Sequence, residues 1–227
     1  MDKPLNQPSP RSSSTRPPAR ERLLAAADEL FYLEGVQSVG IDKVIERAGV
    51  AKASLYGNFS GKDDLVRAYL DARYEARRAA IQAKVALHDA PRDKLLAVFD
   101  AMADAFAKPN YRGCAFIRAS AEMPADASGR QVCRDARSWT RELFADLAKQ
   151  AGAPDPQALA RQLQLVYDGA AASAQMDGEP AAAARAAKAA AGLLIDAACA
   201  KLAKARSRSV APRSGLSTAK TVRARRR

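Results

Sequence analysis

Lys52, Ala53, Ser54, Tyr56, Gly57 and Asn58, with Lys43 and Lys62 to either side, put small and polar side chains into one short stretch. Lys52 can donate to guanine, while Ala53 and Gly57 allow close approach or contact with a thymine methyl. Such a set suits the base edges and phosphates of a duplex, where some groups read sequence and others hold position. It does not suit covalent chemistry. The sequence holds no G-x-S-x-G, P-loop or G-x-G-x-x-G motif, and nothing resembles a nucleophile beside a base. One histidine, His88, and three widely spaced cysteines do not form a metal cluster. No enzyme activity and no cofactor are expected.

Those side chains need a frame, and residues 41–62, IDKVIERAGVAKASLYGNFSGK, supply one. Ile41, Val44 and Ile45 mark a short helix that stops at Ala48-Gly49-Val50. Gly49 stands where a tight turn between helices needs positive φ, which glycine adopts cheaply. A second short helix, over 52–59, follows at once, with Val50, Leu55 and Phe59 packing under the turn. Upstream, Leu23, Leu24, Ala27, Leu30 and Phe31 form a helical stripe ended by Gly35. Downstream, Lys62-Asp63-Asp64 opens a long helix with Leu65, Val66, Tyr69 and Leu70 on one face. Two short helices crossing at a glycine can enter a major groove.

In order and spacing, residues 20–70 resemble the N-terminal DNA-binding domain of the TetR/AcrR family of bacterial regulators. The resemblance rests on F-x-x-x-G at Phe31 and Gly35, the AGV turn, LY-x-x-F at Leu55–Phe59, and Lys62 followed by Leu65. It implies that Ser54, Tyr56 and Asn58 touch phosphate or adjacent bases, and that Lys62 clamps a phosphate at a helix N-terminus. The chain departs from the family pattern at four positions. Gly40 and Ala51 replace the usual hydroxyl caps, Asn58 stands where His or Tyr is commoner, and Gly57 lowers helix propensity.

The formal charge of +12 lies at the ends. Residues 204–227 hold nine Lys and Arg and no acid, and residues 1–20 hold four against Asp2, which leaves 21–203 neutral. Basic tails would add phosphate contacts of any sequence and steepen salt dependence; a solubilising end is the alternative. The start is polar and proline-rich and reads as a disordered arm. No stretch approaches the roughly 20 apolar residues of a membrane span, and no signal peptide is visible, so a cytoplasmic location is expected.

Beyond residue 70, Pro and Gly breaks divide a series of helices. The expected class is all-α: a three-helix helix-turn-helix domain (20–66) and a helical ligand-binding and dimerisation domain (67–204), between a basic arm (1–19) and a basic tail (205–227). The penultimate helix has two apolar sides. Leu159, Leu163, Val166, Tyr167 and Ala170 make one; Leu165, Gly169, Ala172 and Met176 make the other, and the small Gly169, Ala172 and Ser173 allow close helix approach. A helix apolar on two sides buries both, the second against a partner subunit or in a larger internal core. The resemblance implies a homodimer through the last two helices, adding Leu194 and Ala198, and such a dimer would read a palindromic operator.

GCAFIRASAEMP at 113–124 resembles a segment beside the ligand cavity in one branch of these regulators. Phe99, Met102, Phe106, Phe116, Trp139, Phe144 and Tyr167 are expected to line an apolar pocket, with Gln164 and Asp168 orienting a small effector. The function implied is a repressor released from double-stranded operator DNA by that effector. Two alternatives stay open. Cys114 and Cys133 could form a redox switch with thiolates favoured by Arg112, Arg130 and Arg134, although buried cysteines are the simpler reading. An architectural protein could instead bind DNA of any sequence through its basic tails.

Overall fold

The computed structural model describes residues 16–209, with side chains described as far as Cys199. Among these residues the chain forms nine helices and no strand: α1 (Ala19–Glu34), α2 (Ile41–Ala48), α3 (Lys52–Tyr56), α4 (Lys62–Val85), α5 (Pro91–Phe106), α6 (Ala115–Glu122), α7 (Gly129–Gln150), α8 (Pro156–Met176) and α9 (Pro180–Ser209). Pro91 and Pro156 open their helices at a position whose N–H has no helical partner. Asp155 caps α8 by accepting from Ala158 N–H at 2.9 Å. None of the described helices is long and apolar enough to cross a membrane.

Two cores organise the nine helices. The first gathers Leu23, Leu30 and Phe31 of α1, Val44 of α2, Leu55 of α3, and Leu65, Tyr69 and Leu70 of α4. Phe116 and Ala119 of α6, with Val132, Cys133 and Ala136 of α7, complete it. The second joins Ile81 at the far end of α4 to Leu95 and Phe99, Phe144 and Leu147, Leu159 and Leu163, and Ala191 and Ile195. Alanines along α8 and α9 let these two helices pack closely.

Two boundaries differ from expectation. α3 ends at Tyr56 rather than continuing to 59, because Gly57 closes it and Leu55 and Phe59 reach the core through the turn that follows. α9 extends to Ser209, into the stretch expected to begin the basic tail. No break in packing falls at 66/67: α4 runs through it, and α6 and α7 enclose the N-terminal helices. The arm over 1–15 and the tail beyond 209 lie outside the described residues.

Candidate nucleic-acid interface and adjoining cavity

The turn between α2 and α3 is held from below. Gly49 adopts φ 61° and ψ 45°, the left-handed geometry that makes a side chain costly. The carbonyls freed at the end of α2 are capped by arginine: Arg22 Nη1 donates to Ala48 O at 3.1 Å and to Gly49 O at 2.8 Å. Arg16 Nη2 adds a bond to Gly49 O at 3.2 Å. Positive charge at a helix C-terminus is also favourable to its dipole. The sequence reading missed both arginines, because nothing in local spacing links them to a turn so far along the chain.

Above that turn, Lys52, Ala53, Tyr56, Gly57 and Asn58 are exposed and Ser54 is half-buried, while Leu55 and Phe59 are buried. Tyr56 keeps 53% of its surface exposed, unusual for an aromatic side chain so close to a core. Asn58 turns its amide back, donating from Nδ2 to Ser54 O at 2.7 Å.

The three lysines all have intramolecular partners. Lys43 pairs with Glu34, and Lys52 with Asp42 at 3.0 Å. The hydrogen bond from Lys52 to Asp42 is the main cause that raises the lysine pKa. Lys62 donates to Gln37 O at 3.2 Å, and partial burial lowers its pKa. Exposed pairs of this kind are weak and can be exchanged for phosphates. Lys62 is tied more closely to the fold than the resemblance implied.

Behind this unit lies a cavity of about 640 Å³. α1 contributes Leu24, Ala25, Asp28 and Tyr32 to its wall; α4 contributes Tyr69, Arg73, Arg77 and Ile81. The 108–114 loop, α5, α6 and α8 close the remainder. Of the residues expected around an effector, Met102, Phe106, Phe116, Tyr167 and Asp168 line this cavity, whereas Phe99, Trp139, Phe144 and Gln164 do not. Phe99 and Phe144 are fully buried against each other, with ring centroids 5.7 Å apart. Trp139 packs edge-on against Tyr74, and Gln164 donates to Asp168 Oδ1 at 2.8 Å. The cavity forms where Ala72, Ala76, Ala80, Ala101, Ala105 and Ala171 fail to fill space.

One wall of the cavity is stitched to α1. Tyr32 Oη accepts from Arg112 N–H at 2.8 Å and donates to Gly113 O at 3.0 Å. Arg118 Nη1 donates to Tyr32 O at 2.7 Å. Just beyond α1, Gln37 N–H donates to Glu122 Oε2 at 3.1 Å, and Gln37 Nε2 donates to Glu122 O at 2.9 Å. Gly35 permits this contact: it has φ 95°, and a Cβ there would lie 2.8 Å from Glu122 Oε2.

The thiolate that the redox alternative needs is disfavoured at Cys133, in keeping with a buried cysteine. Burial pushes that thiol up from its ordinary value near 9 to about 11, and this outweighs the lowering effect of Arg130, Arg134 and Arg77. All three cysteines are free.

On the far side, Leu165, Met176 and Leu193 are 67%, 84% and 74% exposed, and Gly169, Ala172 and Ser173 lie open between them on α8. Leu194 and Ala198, expected on that face, instead pack half-buried against the second core, and Leu193 occupies the open position.

Residues 23–69 match the domain family described as bacterial regulatory proteins, tetR family. The chain is similar to SCO4454, a TetR-family transcriptional regulator of Streptomyces coelicolor, with 35% identity and a TM-score of 0.75 over 80% of this chain and 96% of that one. A tetR-type regulator of Streptomyces avermitilis, sav143, is 33% identical with a TM-score of 0.69, over 79% of this chain and 97% of the other. The HTH-type transcriptional activator FasR of Mycolicibacterium smegmatis is 33% identical over 85 residues, 37% of this chain and 39% of that protein. Curated relatives such as FasR are thus matched over less than half of their own length.

Proposed function

The chain belongs to the TetR family of bacterial regulatory proteins, DNA-binding transcriptional regulators, and on that premise we propose that it is a ligand-released repressor acting as a homodimer on a palindromic operator. One observation carries this reading. The 640 Å³ cavity is walled by α1 of the helix-turn-helix and by α4 at the same time, so an occupant touches the DNA-reading unit directly. A ligand that fits the cavity best when α1 and α4 are displaced would favour that arrangement, and the same coupling would weaken the operator complex.

In this reading Lys52, Ala53 and Gly57 face bases, Ser54, Tyr56 and Asn58 touch phosphate or neighbouring bases, and Lys43 and Lys62 serve the backbone. The exposed apolar face of α8 and α9 meets its counterpart on a second copy. Two recognition helices then fall on successive turns of the same side of the duplex.

The test is a selection of random oligonucleotides by the full chain at moderate salt, followed by a gel shift on the winning sequence. A palindromic winner, bound by the wild type and about tenfold or more weaker with Tyr56→Ala, is expected. No sequence preference would overturn the reading. A promoter fusion then fixes the sign of regulation: expression falling with the regulator present supports repression, and expression rising would make it an activator, as FasR is named.

A further inference from the structure

Among the described residues, two cations on the cavity wall have no anionic partner: Lys108, which is exposed, and Arg77, which is half-buried. Arg73 is matched by Asp28, with Nη2 at 3.0 Å from Oδ2, and Asp168 is matched from outside the cavity by Arg137 at 2.7 Å. Arg77 differs from both. Its Nη2 donates only to neutral acceptors, Ala136 O at 2.7 Å and Thr140 Oγ1 at 3.3 Å. Its guanidinium lies 4.5 Å from the centroid of the Phe116 ring, and its Nε is buried with no acceptor.

A second donor stands unused on the same cavity. The Tyr111 hydroxyl is buried without a partner, its ring packed 4.6 Å from that of Phe106. Burial raises the phenol pKa well above its ordinary value, so the hydroxyl keeps its proton and remains a donor. Arg77, Tyr111 and Tyr167 all line this one cavity. Both donors are already buried without an acceptor, so a guest that supplies one relieves a cost that a wholly apolar guest would leave in place.

We propose that the cavity selects a molecule with an apolar body and a single carboxylate, whose oxygens accept from Arg77 and from the Tyr111 hydroxyl. This rests on the reading of the cavity as the effector site, and it narrows the expected small apolar effector to an acid. The volume, about 640 Å³, falls within the range of pockets that enclose drug-sized ligands.

Calorimetric titration of the full chain tests it with two probes, decanoate and 2-naphthoate, each beside its methyl ester. At least one acid is expected to bind about tenfold or more tightly than its ester. Arg77→Met should erase that preference. Tyr111→Phe should narrow it severalfold while leaving the melting temperature unchanged or higher, since it deletes an unsatisfied hydroxyl; it therefore carries the test should Arg77→Met fail to fold. An ester that binds as well as its acid, a preference that survives Tyr111→Phe undiminished, or no binding of either acid would overturn the proposal. Gel shifts on the same preparations keep the two ideas apart: sequence-specific DNA binding without acid preference removes only the ligand class, whereas its absence removes the regulator reading.

Discussion

Cys133 illustrates how burial decides the chemistry of a side chain. Three arginines act to lower its pKa, yet desolvation prevails and the thiol stands near 11. The sign of the consequence follows from linkage. Below pH 9 the thiol is protonated in both folded and unfolded chains, and its full contribution to stability is present. Between 9 and about 11 the unfolded chain releases the proton first, so stability falls as pH rises. Cys133→Ala should flatten that alkaline decline, measured as urea midpoints across the interval. At neutral pH, iodoacetamide should label Cys133 more slowly than a free peptide thiol. The cysteines were visible in the sequence, and so were the neighbouring arginines. Their relative weight was not, because local spacing reports nearby charge but says nothing of how far water is excluded.

The helix-turn-helix depends on two glycines that behave oppositely. Gly49 is left-handed, and a Cβ there would also sit 2.9 Å from Arg16 Nη2. Gly49→Ala should therefore destabilise the fold by about 1–2 kcal/mol in chemical denaturation. Gly57 has φ −75° and ψ −17°, and its nearest obstacle to a Cβ is Ala53 O at 3.4 Å. Alanine fits that geometry, so Gly57→Ala should stabilise by about 0.4–1 kcal/mol in the same assay, while the added methyl alters operator affinity in the gel shift. The left-handed turn at Gly49 was legible from Ala48-Gly49-Val50 alone. The early end of α3 was not. Leu55 and Phe59 are spaced as helix neighbours, and an apolar pair at that spacing looks the same whether a helix or a turn joins its members.

Across the whole molecule, the open face of α8 and α9 is the surface through which a second copy is proposed to pack. Leu193→Glu places a charge there without touching either core, because the side chain is exposed within one subunit. Self-association should weaken by about a hundredfold, read by sedimentation, with helix content unchanged. Which side of α8 turns outward was readable from the two apolar stripes. On α9 the reading slipped by one residue, to Leu194, since a helix so rich in alanine offers few large side chains to fix its rotation. The cavity was harder still. Large aromatic residues mark cores and pockets alike, and here Phe99 and Phe144 filled a core while alanines left the space. A better pointer was Arg73 and Arg77, four residues apart on the inward face of α4, where apolar residues would otherwise continue.

The first core takes in Phe116, Ala119 and Met123, and Gln37 grips Glu122 across the same seam. Anyone building a hybrid sensor by grafting this reading head onto a foreign effector module therefore inherits a constraint. A splice inside α4 would strip the head of its lid and leave Gln37 without its anchor. The recipient must bring a counterpart of α6, or the donor must carry its own across.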